Sequence, residues 1–314
     1  MNVARLGDGP LITQDMDDRL GTNINGPSLI RVPECLDDPL GKYYLYFAHH
    51  QGQFIRLAYA DEVDGPYTVY RPGVLAIDDT SFSHHIASPD VHVNDDERKI
   101  EMHYHGCGCT RENSFSYGQL TCYAESTDGL SFATDHTYLG PPYLRTLKWG
   151  EWYYGFSGGH WRRFCRSRDR RTAFEEGPAL EIEGEDFTDF STYDADDPEA
   201  PPVYRMRHPA FHRRGTDLDI YYSCIGDRPE RIKRTTIDLK AEWDDWRGAA
   251  PVEVIQSEKP WEGVNEPLVP SDGGSMHEPV HELRDPYVHE EDGHVYLFYS
   301  VAGEQGIALA EIIE

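Results

Sequence analysis

The feature that most constrains this chain is a strand pattern that recurs five times along its 314 residues. Each copy begins at a residue followed by proline, continues into a strand rich in tyrosine and phenylalanine, and adds a third short strand. The copies open at Gly26-Pro27, Ser88-Pro89, Pro141-Pro142, His208-Pro209 and Asp285-Pro286. Because a strand-only repeat of about 40–70 residues is typical of blades stacked around an axis, the pattern predicts a five-bladed β-propeller.

The second strand of each copy carries most of the aromatic residues, as the preference of tyrosine and phenylalanine for strands leads us to expect. These strands are KYYLYFAHH (42–50), IEMHYHG (100–106), EWYYGFSGG (151–159), LDIYYSCIG (218–226) and HVYLFYSVAG (294–303).

The repeat covers nearly the whole chain, so we expect one domain over residues 1–314. The blades are expected at approximately 22–78, 84–136, 139–180, 203–250 and 280–314. The last blade has only three strands of its own, and an uncovered edge strand invites unwanted pairing. We therefore expect residues 2–11 to supply its fourth strand. The predicted fold class is all-β, a five-bladed propeller whose last blade is closed by the N-terminal strand.

Charge and hydropathy limit the partners of this protein. The chain has 29 basic and 56 acidic residues, for a net charge of −27. Nucleic acids and anionic membrane surfaces both require a basic surface, so we expect neither as a partner. No stretch approaches the length of a transmembrane helix, and no signal sequence is recognisable. We expect a cytoplasmic protein, or a periplasmic or secreted one if a signal peptide has been removed.

A propeller brings the starts of its innermost strands together at the central axis, and these positions are the first candidates for a catalytic site. Two carboxylates flank the prolines there, Asp285 before one and Asp90 after another. His208 precedes a third proline, and Glu282 lies just ahead of the fifth blade. Carboxylates and imidazoles are the usual groups for proton transfer, so we predict Asp90, Asp285, Glu282 and His208 as catalytic residues.

Polar residues also cluster at the ends of the second strands and in the loops beside them. Their recurrence in corresponding positions of separate blades predicts a polar grip on a ligand. The predicted ligand-binding residues are Asn25, His49, His50, His85, His105, His160, Arg284, Asp227 and Glu304. Because imidazole is a common metal ligand, a site formed by His49, His105 and His208 is an open alternative.

The five blades, the Ser88-Pro89-Asp90-Val91 strand start and the Arg284-Asp285-Pro286 strand start resemble the five-bladed propeller glycosidases. These are the arabinanase-like and xylosidase-like enzymes of glycoside hydrolase family 43 and their clan. The resemblance implies a carbohydrate substrate bound at the axis. It also implies that calcium or another divalent ion can lie on that axis.

In family 43, three acids line the pocket: an Asp base in the first blade, a pKa-tuning Asp in the second and a Glu acid in the third. Pro89-Asp90 matches the second position. The first position reads Asn25-Gly26-Pro27 and has no carboxylate, and Leu139-Gly140-Pro141 has leucine where the Glu would be. The resemblance therefore implies a divergent member in which two of the three expected acids are absent from their places.

Three functions follow from these observations. The first is a divergent glycoside hydrolase that acts on an oligosaccharide or polysaccharide through an axial pocket of Asp, Glu and His residues. Such an enzyme needs one group to protonate the leaving oxygen and one to activate water. The second is a metal-assisted polysaccharide lyase or epimerase-like enzyme on uronic acids, which needs a base and a cation to neutralise the carboxylate. The third is a non-catalytic carbohydrate-binding propeller, which would need no catalytic acids.

Overall fold

Five antiparallel sheets form the blades in the computed structural model, counted within the residues that it describes. Those residues are 1–108, 118–159, 162–194, 197 and 200–313. The all-β fold class and the five-bladed arrangement predicted from the repeat are confirmed. Within the same residues, no helix is both long and apolar enough to span a membrane.

Short strands and four single-turn 3-10 helices make up the regular structure of the described residues. In chain order the strands are β1 (Asn2–Leu6), β2 (Ile12–Thr13), β3 (Asn25–Arg31), β4 (Tyr43–Ala48), β5 (Phe54–Ala60), β6 (Thr68–Val69), β7 (Leu75–Ala76), β8 (His85–Asn94), β9 (Lys99–Cys107), β10 (Gln119–Ser126), β11 (Ala133–Gly140), β12 (Arg145–Trp149), β13 (Trp152–Ser157), β14 (Arg163–Ser167), β15 (Glu175–Ala179), β16 (Glu181–Ile182), β17 (Arg205–Met206), β18 (Ala210–Arg214), β19 (Asp217–Tyr222), β20 (Cys224–Ile225), β21 (Ile232–Asp238), β22 (Arg247–Gly248), β23 (Val252–Ile255), β24 (Arg284–Glu291), β25 (His294–Val301) and β26 (Gly306–Ile313). The 3-10 helices are Gln14–Met16, Ile77–Asp79, Trp243–Asp245 and Pro260–Glu262.

Each blade is a meander that runs outward from the axis. The strand orders are β3-β4-β5-β6, β8-β9-β10-β11, β12-β13-β14-β15, β18-β19-β21-β23 and β24-β25-β26-β1. The innermost strands contact one another around the axis, with β3 beside both β8 and β24, and β18 beside both β24 and β12. The residues that open these strands are therefore gathered at one place, as the propeller prediction required.

The N-terminal strand closes the ring, as predicted. β1 pairs antiparallel with β26, with Asn2 opposite Ile313 and Leu6 opposite Leu309. The strand ends at Leu6 rather than at residue 11, and β2 then makes a second, shorter pairing with β26. Arg5 anchors the closing strand, because its Nε donates a 2.7 Å hydrogen bond to the buried carboxylate of Glu262.

The core lies between the blades rather than inside one sheet. Every residue of β4 is buried, without the alternation that a half-exposed strand would show. The reason is that both faces of this sheet are covered by neighbouring blades. The layer between the first two blades packs Tyr44 and Tyr46 against Met102 and Tyr104. This packing joins the second strands of the two blades, β4 and β9, into one apolar layer.

A β-bulge recurs at the proline in three of the innermost strands. Gly26, Ser88 and Asp285, each directly before a proline, have φ values of 60°, 47° and 47°. The pairing register slips at the same points in β3, β8 and β24. A bulge places two residues opposite one and redirects the side chains beside it. The residues before and after the proline therefore project into different surroundings.

Candidate active site

A cavity of about 330 Å³ lies where segments from several blades converge. This volume is within the usual range for small-molecule sites, about 300–1,000 Å³. The cavity is lined by His50, Gln119, Pro142, Tyr143, Gly158, Gly159, Arg205, Met206, Arg207, His208, Ile225 and Gly274. A narrow recess shares three of these residues and is lined by Asn25, His50, Ala87, Ser88, His105, Tyr143 and His208. Among the described lining residues, none is an aspartate or a glutamate.

His208 and Asp285 form the first titratable pair at this cavity. The Nδ1 atom of His208 lies 2.7 Å from Oδ1 of Asp285, and 13% of the histidine side chain is exposed. Nδ1 faces the carboxylate at this short distance, although the two groups are not aligned as a straight hydrogen bond. Burial alone would raise the pKa of Asp285, but the adjacent His208 holds it below its ordinary value. With Nδ1 directed at the carboxylate, Nε2 is the ring nitrogen left for a ligand.

His50 and Glu304 form a second pair of the same kind. Nδ1 of His50 lies 3.2 Å from Oε1 of Glu304. The carboxylate also accepts hydrogen bonds from Asn23 Nδ2 at 2.5 Å, Asn25 Nδ2 at 3.1 Å and the Met276 backbone N–H at 2.8 Å. Burial would raise the pKa of Glu304, but His50 and the other donors hold it below its ordinary range. Glu304 is therefore a fixed anion behind His50.

A buried ionic network around Arg284 supports both pairs. The side chain of Arg284 is 0% exposed, and its Nε lies 2.7 Å from Glu282 and 3.6 Å from Glu230. Its Nη1 lies 3.9 Å from Glu304. Burial raises the pKa of Glu282, and the positive charge of Arg284 offsets only part of this increase. Arg284 was predicted to bind substrate and Glu282 to act in catalysis. Neither is among the residues that line the cavity or its recess, and the two side chains pair with each other in the protein interior.

Tyr143 separates two histidines at the floor of the cavity. Its ring centroid lies 4.0 Å from that of His208, with the rings stacked, and 3.9 Å from that of His105. The ring of His85 lies edge-on to that of His105, with the centroids 5.7 Å apart. Burial, followed by the neighbouring histidines, lowers the pKa of His105 well below its ordinary value, and burial lowers that of His85 to about 4. Both rings are therefore neutral near pH 7.

Comparisons with known proteins place the chain in a family. No protein-family model matches it. It is 33% identical over 313 residues to the uncharacterized protein R118 of Acanthamoeba polyphaga mimivirus, an alignment that covers 92% of this chain and 83% of that protein. The chain belongs to the family of mimivirus protein R118.

Solved structures identify the fold of this R118 family member. A GH43_1 enzyme from Xanthomonas citri, complexed with xylotriose, aligns with a TM-score of 0.60 at 14% identity, covering 97% of this chain and 89% of that one. CoXyl43, a β-xylosidase/α-arabinofuranosidase from a compost microbial metagenome, aligns at 0.62 and 14%, covering 100% and 96%. An exo-1,5-α-L-arabinanase from a bovine ruminal metagenomic library aligns at 0.53 and 13%, covering 92% of each chain. The predicted resemblance to family 43 propellers is confirmed at the level of the fold.

Asp90, which matched a family 43 position, is placed away from the cavity. It is 3% exposed and lies between the second and third blades. Its Oδ2 accepts hydrogen bonds from the backbone N–H of Thr146 at 3.0 Å and from the Thr146 hydroxyl at 3.1 Å, and it lies 2.8 Å from His92 Nε2. Burial would raise the pKa of Asp90, but His92, His103 and Arg145 hold it well below its ordinary value. Because Asp90 belongs to the second blade and Thr146 to the third, these bonds link the two blades.

Three more of the predicted ligand-binding residues are not among the cavity residues described. His49 packs its ring on His277 at 5.7 Å, and burial lowers its pKa to about 4. Asp227 lies 3.3 Å from Lys233 Nζ, and burial raises the pKa of its carboxyl group. His160 lies outside the described residues. In contrast, the structure does bring His50, His105 and Asn25 to the cavity or its recess, while His85 and Glu304 lie directly behind them.

The predicted metal ligands His49, His105 and His208 do not form one set. Tyr143 lies between His105 and His208, and His49 packs on His277. Within the part of the chain that the structure describes, no group of three or more His, Cys, Asp or Glu residues could hold a metal ion. The carboxylates nearest the axis are already engaged by histidine, arginine and amide groups, so the described residues do not fit the calcium ion that the resemblance implies.

Sequence reasoning missed Tyr143, Arg205 and Arg207. Tyr143 directly follows the Pro141-Pro142 opening of the third blade and has a φ of 60°. Arg205 and Arg207 lie just before His208-Pro209, which opens the fourth. The available signal was their position, because residues immediately beside a blade opening lie at the axis whatever their chemistry.

Proposed function

We propose that this protein is a divergent glycoside hydrolase in which His208 and His50 carry the proton transfers that two carboxylates carry in related enzymes. The observation that supports this most directly is geometric. Two histidines line the same cavity, and each is backed by a buried carboxylate, at 2.7 Å for Asp285 and 3.2 Å for Glu304. Similar propellers have been solved with xylose and xylotriose, which favours a carbohydrate ligand.

The two histidines supply the groups that glycoside hydrolysis requires. One imidazolium protonates the glycosidic oxygen as the bond between that oxygen and C1 breaks. The other imidazole, in its neutral form, takes a proton from the water whose oxygen bonds to C1. One proton is donated and one is accepted, so the reaction is balanced without a further reagent. Asp285 and Glu304 hold the two rings in place and stabilise their charged forms, as carboxylates behind catalytic histidines do.

Polar atoms without partners support a hydroxyl-rich ligand. Among the described residues, Asn25 Oδ1, His105 Nδ1 and Gln119 Oε1 are buried and make no hydrogen bond within the protein. All three belong to residues that line the cavity or its recess. Buried polar atoms are almost always satisfied in native proteins, so such a group at a cavity is well suited to sugar hydroxyls or the water that accompanies them.

The test is a comparison of two histidine substitutions on a panel of aryl glycosides of xylose, arabinose and related sugars. His208→Gln is expected to lower kcat about 10²–10⁴-fold, the usual contribution of general acid–base catalysis. The control is His212→Gln, because His212 lies on the same blade as His208 and also pairs with a carboxylate, Glu290 of the fifth blade at 2.9 Å, but does not line the cavity. An active His208→Gln enzyme, or equal losses in both variants, would contradict the proposal.

A lyase acting on uronic acids is the second candidate, favoured by the two arginines and the absence of acidic residues among the described lining of the cavity. In that reaction a histidine removes the proton beside the sugar carboxylate, and the bond to the leaving oxygen breaks without addition of water. The product is unsaturated and absorbs ultraviolet light. Reducing sugar released without this absorbance supports hydrolysis, whereas release with it supports the lyase. Binding without turnover would indicate a carbohydrate-binding propeller.

A further inference from the structure

The wall of the cavity is basic in a strongly acidic protein. The chain has a net charge of −27, yet among the described residues the cavity is lined by Arg205, Arg207, His50 and His208 and by no carboxylate. The buried acids of this region lie behind these side chains rather than among them. A ligand in the cavity therefore meets cationic and neutral groups first.

Local structure directs both arginines to the cavity. They are two residues apart in an extended segment that includes β17, so their side chains project to the same side. Burial, and then the charge of Arg207, lowers the pKa of Arg205, which indicates that the guanidinium groups are near one another. Both arginines also act on the Tyr143 hydroxyl. Burial, Asp285 and Glu304 raise the pKa of this group, and the charges of the two arginines partly offset the increase. The arginine pair therefore faces the floor that holds His208.

The position of the arginine segment is fixed by its neighbours. Arg207 Nε lies 2.7 Å from Glu230, and its guanidinium also donates to the carbonyl of Asp272. The backbone N–H of Gly159 donates to the carbonyl of Met206 at 2.9 Å. A Cβ at Gly158 would lie 2.2 Å from the Arg207 carbonyl oxygen, so only glycine allows the third blade to approach this closely. The Arg207 side chain and the backbone of this segment are therefore held in place by protein contacts.

We propose that the sugar bound in this cavity carries a carboxylate, and that Arg205 and Arg207 bind it. This inference rests on the proposed function insofar as the ligand is a carbohydrate. The planar guanidinium group matches a carboxylate with two parallel hydrogen bonds, and such charged pairs are among the strongest that a side chain makes. A uronic acid unit fits this chemistry. A sulfate ester offers the same negative charge with a different arrangement of oxygens.

The proposal can be tested by calorimetric titration with sugars that differ only in the acidic group. D-glucuronate is D-xylose with a carboxylate on C5, and D-galacturonate bears the same relation to L-arabinose. Each uronate is expected to bind at least about tenfold more tightly than its neutral counterpart, which is near the lower end of what one hydrogen bond to a charged group contributes. Raising the salt concentration should reduce this preference, because ions screen the attraction.

Arg205→Gln provides the matched variant, since Arg207 also neutralises Glu230 and its replacement could disturb folding. The substitution is expected to lower the ratio of uronate affinity to D-xylose affinity several-fold, with Arg207 still facing the carboxylate; an unchanged ratio would contradict the role of Arg205. Arg213→Gln, a change on the exposed side of the same blade, should leave both affinities as they were.

Each alternative result has a distinct meaning. Equal affinities for glucuronate and xylose would overturn the carboxylate subsite and leave a neutral-sugar hydrolase intact. Tighter binding of glucose 6-sulfate than of glucuronate would overturn the carboxylate in favour of a sulfate ester. Failure of every sugar to bind would overturn this inference together with the proposed function.

Discussion

Two acidic residues beside prolines, Asp285 and Asp90, have very different surroundings in this propeller. Both lie at the opening of an innermost strand, both are buried, and both contact a histidine, at 2.7 Å to His208 and 2.8 Å to His92. Asp285 lies behind a histidine that reaches the cavity. Asp90 is held by Thr146 between two blades. A shared motif and a shared pair of residue types therefore do not imply a shared role.

The difference comes from which side of the proline each acid occupies. Asp285 precedes Pro286 and is itself the bulged residue, with a φ of 47°. Asp90 follows Pro89, and the bulged residue of its strand is Ser88, which lines the recess. In these strands the position before the proline faces the axial cluster, and the position after it faces the neighbouring blade. The comparison makes the bulge, rather than the acid, the element that determines access to the cavity.

The largest effect is expected from removing the positive charge of Arg284, which balances the buried carboxylates around it. Arg284→Met should lower the free energy of unfolding by about 3–5 kcal/mol, because it leaves buried carboxylates without compensation. Arg31→Met is the control, since Arg31 is 60% exposed in its pair with Glu291 and exposed ion pairs contribute little to stability. Urea denaturation of both variants provides the measurement. A loss at Arg284 no larger than that at Arg31 would show that the network does not hold this region together.

The next effect separates the two acids by activity. Asp285→Asn should lower kcat about 10²-fold or more, because it removes the anion that orients His208 and stabilises its charged form. Asp90→Asn should leave kcat close to that of the wild type and lower the melting temperature instead. Steady-state kinetics and thermal unfolding of the two variants test the comparison. If Asp90→Asn abolished turnover while the protein stayed folded, the family 43 role of this position would be restored.

The smallest effect concerns the neutral histidines beneath the cavity. The ordinary pKa of a histidine is about 6.5. Burial lowers the pKa of His85 to about 4, and it lowers the pKa of His105 well below the ordinary value. As the pH falls from about 6.5 towards 4, the unfolded chain binds protons that the folded protein does not, so stability decreases. The melting temperature should therefore fall by several degrees between pH 7 and pH 5.

His105→Asn should make this fall less steep, whereas substitution of the exposed His294 should leave its slope unchanged. The slope of melting temperature against pH is the readout, because the substitution itself can shift the absolute stability. Identical slopes in wild type and His105→Asn would contradict the interpretation.

The fold could be predicted from the sequence because its pattern repeats. Five proline-led strand starts indicated the blades, and the missing fourth strand of the last blade indicated closure by the N-terminus. The same alignment led to His208, Asp285, His50 and Asn25. Burial was harder to infer. An arginine and a glutamate near each other in sequence usually indicate an exposed pair, whereas Arg284 and Glu282 pair inside the protein.

The features that the sequence did not indicate have local causes. The bulge at Ser88 redirected Asp90, and nothing in the order of residues there distinguishes a bulged strand from a regular one. Tyr143, Arg205 and Arg207 lie just outside the repeated strands, in segments whose course depends on contacts between blades. Their approach to the cavity required the close packing of Gly158 on the Arg207 backbone, which becomes visible only in three dimensions.

The pairing of β1 with β26 has a consequence for biosynthesis. Residue 2 finds its partner at residue 313, so the fifth blade stays open until almost all of these 314 residues have left the ribosome. Contacts between such distant residues are slow to form, because a long loop must close before they are gained. Ring closure by β1 and β26 therefore comes after synthesis of the residues that line the cavity, which lie between Asn25 and Gly274.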